Sequence, residues 1–367
     1  MNYLLLIIIP TLLYLLEDLI PTKRNYFRKL AIAFIIIMAS LRYNFGVDYS
    51  TYYEVFSKIQ TGIFNGKFEL GYLMLNKIIS QLGLHFNFLL FIIALFNYIL
   101  LYFTIEDNIK KYKWLSILIF LTYFDIFFYS LSAIRQSIVM SIFLYSSKYI
   151  ITKKPIKFFV WLFIGSFFHW TSILLIPVYF IYQKLYLFTK KKALFFVISS
   201  VGIYLLFVNN LLKLSNFVGG KVEYYLFIHQ ADIPSNYFSA GIMLLLTIIL
   251  IFISERMKTN KIFIEGSMKK LDSDIITFPF IALLIYFVLQ IAQRIKYFSA
   301  LPRIQMYFYP FMILAIPQSI SLMKKKEKYF VIYSLIIFLS FIFLYKYSEI
   351  NQYAEQYYQS FRLIFNK

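Results

Sequence analysis

Seven polar residues stand out in a chain that is otherwise largely apolar: Arg42, Asp48, Glu69, Arg135, His169, Arg294 and Arg303. Their types suggest a definite chemistry. Arginine presents a planar fork that grips phosphate or carboxylate oxygens in pairs. Arg135, Arg294 and Arg303, with Lys296 nearby, would suit a diphosphate, and Arg42 is a fourth candidate. An imidazole can take a proton from a hydroxyl near neutral pH, which makes His169 the candidate base or the group that orients it. Asp48 and Glu69 could orient a sugar hydroxyl, serve as a base themselves, or support the arginines. The chain has no cysteine, which excludes thiolate metal sites, and only three histidines, far apart in sequence, so no histidine-rich metal site and no other cofactor is expected.

Each of these residues has a competing structural reading. An arginine at the end of an apolar run can snorkel to lipid headgroups or pair with Asp48 or Glu69. A histidine set among Phe167, Phe168 and Trp170 can be a packing residue. The tyrosines of the same regions, among them Tyr49, Tyr72 and Tyr297, could stack on sugar rings or form an interfacial aromatic belt. Charge near hydrocarbon is costly, and that cost favours function for the group as a whole. Gly46, two residues before Asp48, and Gly71, two after Glu69, permit a bend or a close backbone approach.

The elements that must position these residues are apolar helices. The chain is 367 residues long, 61% hydrophobic and 15% charged, with a mean hydropathy of +0.71. A soluble domain of this length carries more charge. Apolar runs recur at about 2–20, 29–41, 86–105, 114–131, 133–151, 156–168, 170–183, 193–212, 237–255, 275–291, 303–321 and 329–345. The expected fold is therefore all-α: one integral-membrane domain over 1–367, a polytopic bundle of about 10–12 transmembrane helices with an active-site cavity on its outer face. Residues 2–20 lack a basic leader and a cleavage site and are expected to remain as the first span.

The net charge of +20 does not point to nucleic acid, because the basic residues are not gathered on one face. Of the 37, 24 fall in clusters within alternate loops, which marks those loops as cytoplasmic. The segments 42–85 and 213–236 then lie outside, and the seven outliers fall on or near that outer face. Residues 68–84 carry Glu69, Asn76, Lys77, Gln81 and His85 and are expected to form an amphipathic helix on the outer surface. Residues 156–183 are too short for two full spans and are expected to form a short hairpin with His169 near its tip. His85 and His229 read as ordinary loop residues.

Taken in order, the motifs Arg42-x3-Gly46-x-Asp48-Tyr49-x2-Tyr52, Glu69-x-Gly71-Tyr72, Ile134-Arg135-Gln136, Phe168-His169 and Arg294-x2-Tyr297-Phe298 resemble the EpsG family of bacterial polysaccharide-assembly proteins. That family is similar in turn to Wzy-type polymerases of O-antigen, capsule and exopolysaccharide. The resemblance implies a multi-pass glycosyltransferase of the bacterial plasma membrane. It would join oligosaccharide repeat units carried on undecaprenyl diphosphate, moving the growing chain onto the non-reducing end of the next unit. Membrane lipids, a chain-length regulator and a flippase are the implied partners. Two other activities use similar parts. A flippase of lipid-linked oligosaccharide should show two related halves around a central path, and no internal repeat is present. An acyltransferase decorating polysaccharide needs a histidine reached from the cytoplasm, which an outward His169 does not provide. A purely structural scaffold would tolerate substitution of the arginines.

Overall fold

The computed structural model describes residues 3–185, 270–295, 301–353 and 362–363, apart from positions 65, 67, 322 and 324. These residues are mostly α-helical, as expected. Two compact units can be distinguished: one of residues 1–176 and 316–367, the other of residues 177–315.

The first unit combines sequence-adjacent helix pairs with helices brought together from further along the chain. α1 (Tyr3–Leu19) and α2 (Tyr26–Leu41) form a hairpin, and α2 packs on α5 (Phe86–Asn108). α5 packs on α8 (Ile134–Ile151), α8 on α9 (Pro155–Ser166), and α1 on α6 (Lys113–Thr122). The first hairpin turns at Asn25, whose φ of 53° lies in the left-handed region that asparagine tolerates. Glu17, fully buried, closes that turn by accepting from Thr22 N (2.5 Å), Thr22 Oγ1 (2.7 Å) and Phe27 N (2.9 Å). Backbone donors at a helix start need such acceptors.

α5 is the backbone of this unit. Its 23 residues carry no charge until Glu106 and Asp107, and it opens with His85 Nδ1 accepting from Asn87 N at 3.2 Å. Among the described residues it is the one unbroken helix long and apolar enough to cross a membrane. The apolar run at 114–131 is instead broken into α6 and α7 (Phe124–Ser132), bent by 55°. The break falls at Tyr123, whose extended backbone (φ −78°, ψ 102°) separates the two helices.

The segment 42–85 is more ordered than a loop. It contains α3 (Tyr49–Gln60) and α4 (Leu70–Gln81), which pack on each other. α4 forms where an amphipathic helix is expected, but it buries Tyr72, Asn76 and Ile79 and exposes the apolar Leu70, Met74 and Ile78. Its buried side joins Tyr52, Phe56, Phe86, Leu89, Ile134 and Ile138 in one core cluster. A short antiparallel pair, β1 (Arg42–Tyr43) with β2 (Arg362–Leu363), is an addition to the all-α expectation. Over 156–183, where a short hairpin is expected, the chain runs through α9, a break at Phe167–His169, a 3-10 turn (Trp170–Leu175) and α10 (Ile176–Leu185). His169 sits at the break but is buried. The chain returns to the first unit at Ile316, within α13 (Met312–Ser321), and continues through the 29-residue α14 (Lys325–Tyr353).

In the second unit, α11 (Lys270–Ile295) is followed by α12 (Leu301–Gln305) and a 3-10 turn (Tyr309–Phe311). Phe278 anchors its core, edge-on to Tyr182 (5.1 Å) and Phe311 (5.3 Å). Gln290 Nε2 ties α11 to α12 by donating to Gln305 Oε1 at 2.9 Å. The expected outer segment 213–236 and the apolar runs at 193–212 and 237–255 lie outside the described residues.

Candidate active site

The site starts from an elbow. α7 ends at Ser132 and α8 begins at Ile134, with Ala133 between them. Breaking a helix frees backbone groups that must find other partners. Arg42 supplies one, its Nη2 donating to the Leu131 carbonyl at 2.9 Å and its Nη1 to the Ala39 carbonyl. Gly46 then lies against Ser132. A Cβ at Gly46 would come within 3.0 Å of Ser132 Cα, and its φ of +101° is open to glycine but strained for other residues. Asp48 N donates to Ser132 Oγ at 3.4 Å. The run from Arg42 to Asp48 thus clamps the elbow from which Arg135 projects.

Arg135, the second residue of α8, makes an ion pair with Glu69 Oε2 through its Nη1. The other carboxylate oxygen, Glu69 Oε1, lies 2.9 Å from His169 Nδ1. One carboxylate therefore joins residues 66 and 100 positions away in sequence. All three side chains are largely shielded: Arg135 is 23%, Glu69 15% and His169 9% exposed. The Arg135 guanidinium lies 4.5 Å from the Phe68 ring centroid and 5.9 Å from those of Tyr52 and Tyr72, and it is hydrogen-bonded to the Tyr52 phenol. Such aromatic faces favour a cation over them.

Glu69 is placed by the backbone around it. It is the residue before α4, and two residues on, Gly71 N donates to the Phe167 carbonyl at 2.8 Å. A Cβ at Gly71 would come within 2.9 Å of both Phe167 Cβ and Phe167 O. Only glycine lets the start of α4 approach the α9 break this closely, and that approach sets Glu69 beside His169. Burial alone would raise the Glu69 carboxyl. The hydrogen bond with His169 and the field of Arg135 outweigh it and hold the group at about 2. Glu69 is thus an ionised acceptor at physiological pH and a weak base. With the Nδ1 proton held by Glu69, the neutral imidazole carries its lone pair on Nε2, the nitrogen that Glu69 does not engage.

The sequence-derived candidates separate into groups. Glu69, Arg135 and His169 come together. Arg42, expected as a fourth diphosphate ligand, is 2% exposed and committed to two backbone carbonyls, so it acts on the site through the elbow. Asp48 is half-buried at the start of α3 and touches the same elbow through its backbone. Tyr49 and Tyr72, expected to contact sugar, are packing residues. Tyr49 stacks edge-on with Phe86 (5.5 Å) and Tyr43 (6.3 Å), and Tyr72, fully buried, packs against Tyr52 (5.6 Å) and Phe68 (5.7 Å). Arg303 is exposed on α12 in the second unit, and Arg294 is a position on α11. Tyr297 and the side chain of Arg294 lie outside the described residues. Tyr52 and Phe68, which cage Arg135, were not singled out for that role; their signal was adjacency to Glu69 and membership of the Asp48-Tyr49-x2-Tyr52 motif. Among the described residues no three His, Asp or Glu side chains converge as metal ligands would.

No curated protein and no solved structure matches this chain. The model of the EpsG family does, over residues 25–361, a stretch that contains every side chain of the elbow and of the Arg135–Glu69–His169 cluster. By that match the chain belongs to the EpsG family, whose members are polysaccharide polymerase-like membrane proteins.

Proposed function

We propose that this chain is a Wzy-type polymerase: a multi-pass glycosyltransferase of the bacterial plasma membrane that joins repeat units carried on undecaprenyl diphosphate at the outer face. The observation that carries this reading is the Glu69 carboxylate shared between Arg135 and His169 beside the Phe86 end of α5, a helix of membrane-spanning length. Family membership supplies the polysaccharide context.

In the proposed reaction the acceptor sugar hydroxyl attacks the anomeric carbon of the donor chain. The bond from that carbon to the diphosphate oxygen breaks, and the lipid diphosphate leaves as an anion. The hydroxyl proton passes to His169 Nε2. Glu69 holds the ring in the tautomer that leaves Nε2 free to accept it and stabilises the imidazolium that forms, the logic of a carboxylate–histidine pair. Arg135 fixes Glu69 and keeps it ionised. This differs from its expected place on the diphosphate. A departing diphosphate needs cations where charge develops, and by residue type Arg294 and Arg303 remain the sequence candidates for that role.

The test is complementation of a deletion strain, reading polymer length on a gel. The expected result is long polymer with the native chain, and single exported repeat units with the His169→Ala chain inserted at a normal level. Failure to export any unit without the protein would point to a flippase. Loss of acyl decoration from full-length polymer would point to an acyltransferase.

A further inference from the structure

The C-terminal pairing is not explained by the chemistry above. β2 pairs antiparallel with β1, Arg42 opposite Leu363 and Tyr43 opposite Arg362. β1 is the strand whose first residue clamps the elbow. It is secured on the α5 side by Asn87, whose Nδ2 donates to the Ser40 carbonyl (2.7 Å) and the Arg42 carbonyl (3.3 Å). β2 occupies its strand-pairing edge, where backbone groups would otherwise need other partners.

The path of the chain to this point is long. α14 begins at the other end of α5: Lys328 Nζ lies 5.5 Å from the ring of Tyr112, which follows the Asn108 end of α5 and precedes α6. At about 1.5 Å per residue, its 29 residues reach roughly 43 Å, against about 34 Å for the 23 of α5. The helix is long enough to carry the C-terminus past the full length of α5 to the Phe86 end, where Asn87 and Arg42 meet.

The geometry points to the C-terminal strand as a strap: residues 362–363 hold β1, β1 aims Arg42 at Leu131, and the elbow so fixed sets Arg135 against Glu69. Arg362 and Leu363 are then positioning residues for Arg135, Glu69 and His169, which all lie before residue 170. The strap itself rests on the strand pairing alone. Only its effect on activity rests on the polymerase reading.

The absence of native cysteine makes the test clean. The full chain carrying Tyr43→Cys and Arg362→Cys is oxidised in membranes, and the remaining thiol is counted with a maleimide-coupled polymer. Cross-strand neighbours have Cα atoms about 4.5–5.5 Å apart, inside the disulfide range. The expected result is cross-linking well above that of a Tyr43→Cys, Phe365→Cys control, three residues out of register. Equal cross-linking of the two pairs overturns the strap, whatever the protein's activity. For the functional arm, a chain ending after Ser360 is expected to lose about tenfold to a hundredfold in polymer formation at a normal membrane level, the cost of misplacing a catalytic group by about 1 Å. The cross-linked pair is expected to retain polymer formation. If the shortened chain fails to accumulate, Leu363→Pro, which removes a backbone donor, is compared with Leu363→Ala, which keeps it. Full polymer from the shortened chain, or equal polymer from the two Leu363 variants, overturns the positioning role.

Discussion

Two charged clusters sit at opposite ends of the helices of the first unit, built from similar residues to different effect. At the Asn108 end of α5, Arg28 pairs with Asp18 (2.7 Å) and Glu106 (3.1 Å), and Lys113 pairs with Glu106 (2.5 Å). At the Phe86 end, Glu69 pairs with Arg135 and His169. In the first cluster these carboxylates meet fixed cations, and Glu17 beside them is committed to backbone and hydroxyl donors. That network ties the α1–α2 hairpin to α5 and α6. In the second, the carboxylate ends on an imidazole, a group that can change its protonation state. Buried charge in an apolar chain is therefore not functional by type alone. What marks the cluster at the Phe86 end is an imidazole held by a carboxylate that does not itself titrate near neutrality.

The sharpest break in this comparison is removal of the imidazole. His169→Ala should cut polymer formation by about 10²–10⁴-fold, the usual contribution of a positioned base, with membrane level and repeat-unit export unchanged. If long polymer survives, the base must be sought elsewhere, with Asp48 the next candidate. Glu69→Gln should be milder, about tenfold to a hundredfold, since the ring remains but loses its anionic partner. The native pH profile sharpens this. Glu69 is held at about 2, below the ordinary carboxyl value of about 4.3. A depressed carboxyl gives its stabilisation in full above the unfolded value and loses it as pH falls through the folded one. Its contribution is thus complete above about pH 5 and fades only towards pH 2, so any change in activity between about pH 5 and pH 8 must come from another group. A Glu69→Gln chain with the native rate and profile would break the dyad reading.

Gly71→Ala tests the scaffold that brings the partners together. The added Cβ would meet Phe167 at 2.9 Å, on backbone as well as side chain, and must push α4 from the α9 break. Overpacking of this kind costs about 1–3 kcal/mol. The expected result is a modest fall in thermal stability with a clear loss of polymer, because Glu69 moves with α4. Loss of stability with native activity per molecule would separate the close approach from the site.

Much of this was legible in the sequence, and the exceptions are physically specific. Charge alternation placed Glu69, Arg135 and His169 on one face, and the structure brings those three together. The glycine of Glu69-x-Gly71 pointed to a close backbone approach, which Phe167 supplies. The role of Arg42 was not legible. An arginine after an apolar helix looks the same whether it faces a phosphate or a carbonyl, and nothing in the run Ser130-Leu131-Ser132-Ala133 shows that Leu131 will need a donor. Tyr49 and Tyr72 misled for a related reason: an aromatic ring beside polar residues serves equally for stacking on sugar or filling the core. The inner cluster was hidden by its own basic residues. Arg28 and Lys113 satisfied the rule for cytoplasmic loops, so their pairing with Asp18 and Glu106 left no separate trace.

That inner cluster gives the counterpart experiment. Arg28→Ala leaves Asp18 without its cation and Glu106 with Lys113 alone, both largely shielded at 19% and 14% exposure. Removing one member of a buried ion pair costs about 3–5 kcal/mol when the remaining charge stays dry. Here the value should fall below that range, because Asp18 is partly open to solvent and Glu106 keeps a partner. The expected result is a lower thermal midpoint and a lower level in the membrane, with polymer formed per molecule unchanged. Arg28→Lys should recover part of the stability, since one ammonium can reach one carboxylate but cannot span two as the guanidinium fork does. The two ends of the unit then separate by readout: substitutions at Glu69 and His169 change the rate and spare the level, and substitutions at Arg28 change the level and spare the rate. A fall in polymer per molecule for Arg28→Ala, at a matched level, would mean that the two ends are coupled through α2 and α5 and that the inner cluster is part of the machinery.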